Sequence, residues 1–313
     1  MTDRVLPASG ELASTALPGR RRQRRPLGPW LWYVAPAIAV LLLIGVVPLV
    51  TAFGLSLTQF SFILPGRTGQ FVGAENYVSL LSNDAFLAAI VRTGAFTGLA
   101  VFLELMIGLF LATALNSTGR ERGPLVGLLI IPMILTPVIV GLTFNFALNP
   151  QFGPITTLLK GLTGTPVDVL GSPGLAFAAL VLVDVWQWSS FMALMLWAGM
   201  QGLPTSPIEA AQVDGATTLQ RLRLIVVPML RPVIVVAVIF RSAEAIREFD
   251  KVFVLTGGGP GSATEVLDLF TYRTAFVTWD MSLGAAMGVV EFLAALVAAF
   301  VFFRVITRGG RVA

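Results

Sequence analysis

Six long apolar stretches constrain the fold of this chain more than any other feature. A helix of about 20 residues crosses a hydrocarbon core of about 30 Å, and each stretch is at least that long. Because an unpaired backbone amide is costly in lipid, such segments cross a membrane as helices. The sequence therefore predicts an all-α integral membrane protein with one transmembrane domain over residues 29–313. The six predicted helices lie at about 30–57, 86–115, 125–148, 175–200, 229–255 and 282–304.

The composition agrees with a membrane protein and excludes several kinds of active site. Of 313 residues 56% are hydrophobic and 12% are charged, whereas about a quarter of the residues of a soluble domain are charged. The chain has no histidine and no cysteine, which removes the usual zinc, haem and iron–sulfur ligands and every disulfide. The two lysines, Lys160 and Lys251, both stand outside any phosphate-binding loop. We therefore expect no cofactor, no metal and no ATP hydrolysis by this chain.

Arginine placement predicts which side of the membrane each loop faces. Short cytoplasmic loops and tails carry the excess of positive charge, and an even number of spans puts both termini on one side. The arginines concentrate in the N-terminal tail, the 116–124 loop, the 204–228 loop and the C-terminal tail. Both termini and the 204–228 loop are therefore predicted to face the cytoplasm.

Residues 1–28 form an arginine-rich segment without periodicity, which is typical of a disordered tail. A basic cluster before an apolar run is also found in twin-arginine export signals and in nucleic-acid-binding patches. The apolar run that starts at Trp30 is too long for a signal peptide, and no aromatic residues interleave with the arginines. We expect the tail to fix the topology and to contact anionic membrane lipid, with no nucleic-acid partner.

The polar 204–228 loop is predicted to hold two short helices joined at a glycine. Ser206 is suited to cap the first helix, with Pro207 in its first turn and Glu209 placed to complete a capping box. Gly215 then ends that helix. Apolar residues recur at helical spacing over 218–227, and Pro228 is predicted to close this second run.

The same loop resembles a known motif. Its Glu-Ala-Ala triplet, glycine and terminal proline resemble the EAA loop of the permease subunits of binding-protein-dependent ABC importers, which usually have leucine where this chain has Val227. Flanking residues are similar to the carbohydrate class of these permeases, the maltose-type and polyol-type proteins. The residues that carry the resemblance are Asn76-Tyr77, Met200-Gln201-Gly202-Leu203-Pro204, Glu209-Ala210-Ala211, Gly215, Ile225, Val227-Pro228, Phe249-Asp250, Leu255-Thr256-Gly257-Gly258-Gly259-Pro260 and Thr264.

The resemblance implies a six-helix permease of the type I importer fold in a bacterial inner membrane. It implies four kinds of partner: a second homologous permease subunit in a heterodimer, two ATP-binding ABC subunits, an extracytoplasmic solute-binding protein, and a sugar or polyol as substrate. The 204–228 loop would couple the permease to the ATPases. By similarity, the coupling residues are Glu209, Ala210, Ala211, Asp214, Gly215, Ile225 and Pro228.

Ionisable residues inside spanning segments are costly, so each one is a candidate for the transport path. In the fifth segment Arg241, Glu244, Glu248 and Lys251 fall on one helical face of about 80°. The pairs Arg241–Glu244 and Glu248–Lys251 have opposite charges at i,i+3 spacing, so a self-neutralising face packed against a neighbour is the alternative to a cavity lining. We favour the cavity.

A second polar face lies on the fourth segment, where Asp184 and Gln187 share helical spacing with aromatic residues. Aromatic rings stack on the C–H faces of a sugar while amides and acids bond its hydroxyl groups. By similarity to the maltose-type permeases, the substrate path comprises Gln187, Trp188, Phe191, Arg241, Glu244, Ala245 and Glu248. Arg92, Glu104 and Glu291 are predicted to form interhelical pairs without a transport role.

The sequence leaves three rival classes open. An ion-coupled secondary carrier of a small polar solute is the main alternative, although such carriers usually contain internal repeats and none is visible here. A channel would need a filter loop. A membrane scaffold would need no polar faces within the bilayer.

Overall fold

The computed structural model describes residues 30–63, 66, 68–117 and 122–309. The predicted disordered tail at 1–28 lies outside this part. The chain divides into two compact units, residues 1–49 and 50–313. In the first unit, helix α1 (Trp30–Leu41) and a π-helical turn (Leu42–Val46) lead into α2 (Val47–Ser56), which enters the second unit.

The second unit is almost entirely helical. A two-stranded antiparallel sheet, β1 (Thr58–Phe60) and β2 (Thr68–Phe71), follows α2. The helices that come next are α3 (Glu75–Leu81), α4 (Asp84–Ser117), α5 (Arg122–Ile134), α6 (Pro137–Ala147), α7 (Pro154–Thr163), α8 (Pro173–Gln201), α9 (Ser206–Val213), α10 (Thr218–Arg221), α11 (Val227–Ile246), α12 (Asp250–Leu255), α13 (Leu267–Tyr272) and α14 (Met281–Gly309). Two further π-helical turns, Leu222–Val226 and Arg273–Val277, precede α11 and follow α13.

Several of these helices are long and apolar enough to cross a membrane. Within the described residues four qualify: Tyr33–Ser56, Asp84–Ser117, Pro173–Gln201 and Thr218–Ile246. A fifth span is obtained if Gly123–Ile134 and Pro137–Ala147, which meet at a bend of 90°, count together. Helix α14 adds a shorter apolar stretch over Met281–Val297. The protein is therefore a helical multi-pass membrane protein with four or five such spans, where the sequence predicted six.

The third predicted span is broken by a proline. Thr136 has extended backbone angles, φ −66° and ψ 143°, and Pro137 starts α6. A residue before proline avoids the helical region because the proline ring collides with its backbone. The stretch 125–148 is therefore two helices rather than one.

The fifth predicted span is displaced and divided. The helix begins at Thr218, inside the predicted loop, and ends at Ile246. After a short break α12 begins at Asp250, and the Glu248 side chain accepts a hydrogen bond from the Lys251 amide at 3.2 Å. A side chain that bonds a nearby amide competes with helical bonding, which explains why the segment 229–255 does not run through as one helix.

Helices α4, α8 and α11 form the centre of the core and approach one another closely at glycines. A Cβ added at Gly108 of α4 would lie 2.7 Å from Met192 Cβ on α8. Near the C-terminal end of α8, a Cβ at Gly199 would lie 2.9 Å from Val233 Cγ1 on α11. Small residues allow membrane helices to pack at short range, where dispersion contacts hold them together.

We predict that Gly108→Val destabilises the fold, because overpacking a helix contact costs about 1–3 kcal/mol. The apparent Tm of the purified chain in detergent, followed by tryptophan fluorescence, is expected to fall by several degrees. Gly98→Val on the same helix is the matched control, since nothing lies within 4 Å of a Cβ at Gly98. Equal Tm values for the two variants would contradict the close α4–α8 packing.

Candidate functional site

The loop between α8 and α11 is an exposed helical hairpin. Helix α9 ends at Val213, and Gly215 adopts φ +79° before α10 begins at Thr218. Only glycine adopts such backbone angles without steric cost. The glycine joint predicted at this position is therefore present, and it turns the chain from one short helix to the next.

The capping of the hairpin differs from the prediction. Ser206 is the first residue of α9 rather than its cap, and the preceding Thr205 makes no side-chain capping bond, so the predicted Ser206–Glu209 box is wrong. The capping box that forms is at α10, where the Gln220 amide donates to Thr217 Oγ1 at 3.3 Å. The Thr217 amide donates to Gln220 Oε1 at 2.8 Å. Threonine and glutamine three residues apart are the usual composition of this motif.

The second arm of the hairpin continues into the membrane helix. Pro228 was predicted to close this arm, but the helix continues through it into α11. The path from α10 through the π-helical turn to Ile246 is one continuous helix. A force applied to α10 therefore acts directly on α11.

The hairpin presents apolar side chains to its surroundings. Val213 is 88% exposed, Leu219 is 70% exposed and Leu224 is 69% exposed. Arg221 Nη1 donates to Gln212 Oε1 at 2.9 Å, which joins the two arms. Of the predicted coupling residues, the exposed ones are Glu209, Ala210, Asp214, Gly215 and Pro228, and the half-buried ones are Ala211 and Ile225.

A second group of polar side chains lies deep between the helices. We call it the buried charge cluster, and its members are Glu104, Asp184, Gln187, Arg241, Glu248 and Lys251. Every member is buried, and the least buried, Glu248, is 7% exposed. Helices α4, α8, α11 and α12 each contribute to the cluster.

Arg241 joins three helices within the cluster. Its Nε lies 2.9 Å from Glu104 Oε2 on α4, and its Nη2 donates to Asp184 Oδ2 on α8. Glu244, the partner offered by its own helix, is exposed instead. The i,i+3 pairing considered for Arg241 and Glu244 is therefore replaced by ion pairs across helices, and the interhelical pairing predicted for Glu104 is present.

Lys251 uses all three of its donor directions. Its Nζ lies 2.6 Å from Asp184 Oδ1 and 2.8 Å from Glu248 Oε2, and it donates to Gln187 Oε1 at 3.1 Å. An ammonium group has three protons to donate, so this buried cation is fully satisfied. The predicted Glu248–Lys251 pair is thus formed as part of a larger network.

Gln187 extends the network to the broken helix. Its Nε2 donates at 2.8 Å to the carbonyl oxygen of Leu135, at the bend between α5 and α6. A carbonyl at a helix break has lost its usual partner and needs another one. The Gln187 amide supplies it while its oxygen accepts from Lys251.

An aromatic row leads from the cluster to the surface. The Arg241 guanidinium lies 4.9 Å from the Trp188 ring centroid. The ring centroids of Trp188 and Phe191 are 6.1 Å apart, and those of Phe191 and Phe240 are 5.3 Å apart. The Phe240 side chain, at the outer end of the row, is 51% exposed. Trp188 Nε1 and Arg241 Nη1 are buried and have no hydrogen-bond partner among the described residues. Two donors and three rings thus line one edge of the α8–α11 pair.

The predicted path residues divide into two groups. Gln187, Arg241, Ala245 and Glu248 are buried in or beside the cluster. Trp188 and Phe191 are half-buried, and Glu244 is exposed. The predicted path omitted two cluster members that the sequence had singled out: Asp184, placed on the polar face of the fourth segment, and Glu104, predicted to form an interhelical pair without a transport role.

An apolar groove of about 560 Å³ lies elsewhere, between α4, α5 and α8. Its walls include Ile107, Leu128 and Trp186, with Ser189 and Ser190 as polar members. None of the predicted path residues lines it. Ser189 and Ser190 carry the only hydroxyl groups among the described residues of these walls, so the groove offers few hydrogen-bond partners to a polar molecule.

Residues 104–311 match the family described as "Binding-protein-dependent transport system inner membrane component". The chain is 39% identical to the probable ABC transporter permease protein y4oQ of Sinorhizobium fredii, over 84% of each chain. It is 35% identical to the trehalose/maltose transport system permease protein MalF of Thermococcus litoralis, over 87% of this chain and 91% of that one. The sulfoquinovosyl glycerol transport system permease protein SmoG of Agrobacterium fabrum is 36% identical, over 87% and 88%.

Solved structures show the same fold at lower identity. A bacterial alginate ABC transporter, in complex with an alginate pentasaccharide-bound periplasmic protein, contains a chain that superposes with a TM-score of 0.75 at 22% identity. The match covers 87% of this chain and 92% of that chain. The MetNI methionine ABC transporter in an inward-facing conformation gives a TM-score of 0.53 at 18% identity, over 75% and 98%.

We predict that Lys251→Met strongly destabilises the protein, because it leaves Glu248 buried without its cation and removes one of the two cations that pair with Asp184. Removing one partner of a buried ion pair costs about 3–5 kcal/mol. Thermal unfolding in detergent measures the effect. The other lysine of the chain, exposed Lys160 on α7, provides the control Lys160→Met. If both variants unfold at the same temperature, the cluster does not hold the helices together.

Proposed function

The chain belongs to the family of binding-protein-dependent transport system inner membrane components, and from this premise we propose that it moves a sugar or polyol into the cell. It is the membrane permease subunit of an ATP-driven importer. Family membership favours this function over an ion-coupled secondary carrier, and ATP hydrolysis is assigned to separate partner chains. The proposed mechanism is alternating access, in which the path opens to one side of the membrane at a time.

The observation that carries the mechanism is the connection between loop and helices. The exposed hairpin joins α8 directly to α11, and these two helices hold the aromatic row and three members of the buried charge cluster, Asp184, Gln187 and Arg241. A movement of the hairpin therefore reaches the polar core through two continuous helices. Rigid-body rotation of packed helices is a common way to switch between two conformations.

We propose that the hairpin at 204–228 is an EAA coupling loop. Its exposed apolar side chains, Val213 and Leu219, would enter a cleft on the ATPase as a short helix laid in a groove. The contact residues would be Glu209, Ala210, Ala211, Asp214, Gly215, Ile225 and Pro228. Exposed apolar groups rimmed by polar ones mark protein interaction sites.

The proposed topology has six spans within the domain 29–313, with the bent pair α5–α6 as the third and α14 as the sixth. Both termini and the hairpin then face the cytoplasm, in agreement with the arginine-rich loops. The proposed assembly pairs this subunit with a second homologous permease as a heterodimer. Two ATP-binding subunits would bind the hairpins, and a solute-binding protein would deliver the substrate from outside.

The proposed substrate path runs along the aromatic edge of the α8–α11 pair. Trp188, Phe191 and Glu244 would contact the solute, because they are at least partly exposed. Gln187, Arg241, Ala245 and Glu248 would form the wall behind them. Aromatic rings with the free donors Trp188 Nε1 and Arg241 Nη1 suit the alternating C–H faces and hydroxyl groups of a sugar. The sugars in the names of MalF and SmoG support the same class.

Reconstitution tests the function. The permease pair, its ATPase and its binding protein are placed in liposomes, and uptake of labelled trehalose and of labelled sorbitol is measured. We expect uptake of one of them that requires ATP inside and fails when the phosphate-binding lysine of the ATPase is replaced. Uptake by this chain alone, without any ATPase, would instead support the secondary carrier.

We predict that Gly215→Val uncouples the importer, because φ +79° is strained for a β-branched residue. Solute uptake should fall at least tenfold while the ATPase still hydrolyses ATP. Gly215→Asn is the matched control, since asparagine tolerates the left-handed region, and the space around the glycine is open. Equal uptake by the valine and asparagine variants would argue against a conformational joint.

A further inference from the structure

Asp184 occupies the centre of the buried charge cluster but has no place in the substrate path. One carboxylate oxygen accepts from Lys251 of α12, and the other accepts from Arg241 of α11. Asp184 itself belongs to α8 and is 0% exposed. Because both oxygens are occupied by cations on other helices, its chemistry is directed toward the protein and not toward a solute.

A second attachment joins the same two helices nearer the hairpin. A Cβ at Gly199 of α8 would lie 2.9 Å from Val233 and 3.1 Å from Leu230 of α11. At a rise of 1.5 Å per residue, Gly199 stands about 22 Å along α8 from Asp184. Two attachments so far apart fix both the separation and the relative tilt of α8 and α11.

The charged attachment resists separation for a physical reason. Pulling Arg241 away from Asp184 would take one ion-pair partner from each of two buried charges, leaving Arg241 with Glu104 alone and Asp184 with Lys251 alone. The loss of a partner by a buried charge is costly. Apolar contacts between other helices can be exchanged for similar contacts at a lower cost. A conformational change should therefore preserve the α8–α11 contact and repack weaker ones.

We propose that Asp184 is a positioning residue that makes α8 and α11 one rigid body, so that a displacement of the hairpin reaches both helices without loss. This role rests on the proposed function. Lys251 and Gln187 extend the rigid body to α12 and to the carbonyl of Leu135 at the helix break. The measurable consequence is the number of solute molecules imported per ATP hydrolysed.

The first test is Asp184→Asn in the complete reconstituted transporter. The amide keeps the size of the side chain but loses the charge that holds Arg241 and Lys251. We expect import per ATP to fall at least tenfold while ATP hydrolysis continues. Asp84→Asn, an exposed carboxylate at the start of α4, should stay within twofold of the wild-type ratio. An unchanged ratio for Asp184→Asn would overturn the proposal.

The second test joins the two helices covalently and leaves Asp184 in place. The chain has no cysteine, so Gly199→Cys with Val233→Cys provides a single disulfide at the close approach. If α8 and α11 move as one body, oxidation should leave uptake within twofold of the reduced protein. Uptake that stops on oxidation and returns with reductant would show that α8 and α11 must move relative to each other. That result would overturn the rigid-body proposal without contradicting the proposed ATP-driven import.

The third test combines the two changes. In the triple variant carrying Asp184→Asn and both cysteines, the disulfide replaces the lost ion pairs as the tie between α8 and α11. Oxidation should restore import per ATP to at least half of the wild-type ratio. A ratio that stays low after oxidation would assign Asp184 some other role, since a residue that contacts the solute would not be rescued by a distant crosslink.

Discussion

Charges buried among membrane helices must be paired with one another, and this constraint organises the protein. Three carboxylates and two cations meet where α4, α8, α11 and α12 cross, together with one amide. Each ion pair between helices restricts their relative positions, because a helix that moved alone would separate a buried charge from its partner. The helices that carry the cluster are held in register by electrostatics, and glycine contacts then bring them close.

The exposed hairpin acquires its significance from this rigid centre. A loop between two independent helices could bend without effect on the membrane interior. Here α10 continues into α11 as one helix, and α11 is tied to α8 on the other side of the loop. The exposed apolar side chains of the hairpin form a surface that a partner protein can bind. Gly215 allows the tight turn between α9 and α10 that exposes them.

The proposed substrate path and the buried charge cluster have different roles: the path contacts the solute, and the cluster holds the helices around it. A permease that moves a neutral solute needs polar groups in the bilayer, but free charges there would attract ions and water. Pairing the charges behind an aromatic edge avoids this conflict, because Trp188 and Phe191 lie between Arg241 of the cluster and the exposed Phe240. Specificity for a sugar would then depend on the rings and on the donors Trp188 Nε1 and Arg241 Nη1, while the ion pairs keep the wall in place.

The sequence alone determined the class of this protein and its family. Apolar runs long enough for a bilayer, and a polar loop with the spacing of the EAA motif, are local features that do not depend on how the chain packs. Gly215 could be assigned as the joint because its conformational freedom is a property of the residue itself. The break before Pro137 had a similar local cause, although its 90° bend did not follow from the pattern.

Only the tertiary structure decided which charges meet. On a helical wheel Arg241 has Glu244 as its partner, yet it binds Glu104 and Asp184, which are 137 and 57 residues away in the sequence. The pattern of the sequence also did not show that the fifth segment is divided, or that its continuous helix begins as early as Thr218. A charge buried between membrane helices pairs with the opposite charges that are buried beside it. Which charges lie beside it depends on how the helices cross, and the spacing of residues in the sequence does not contain that information.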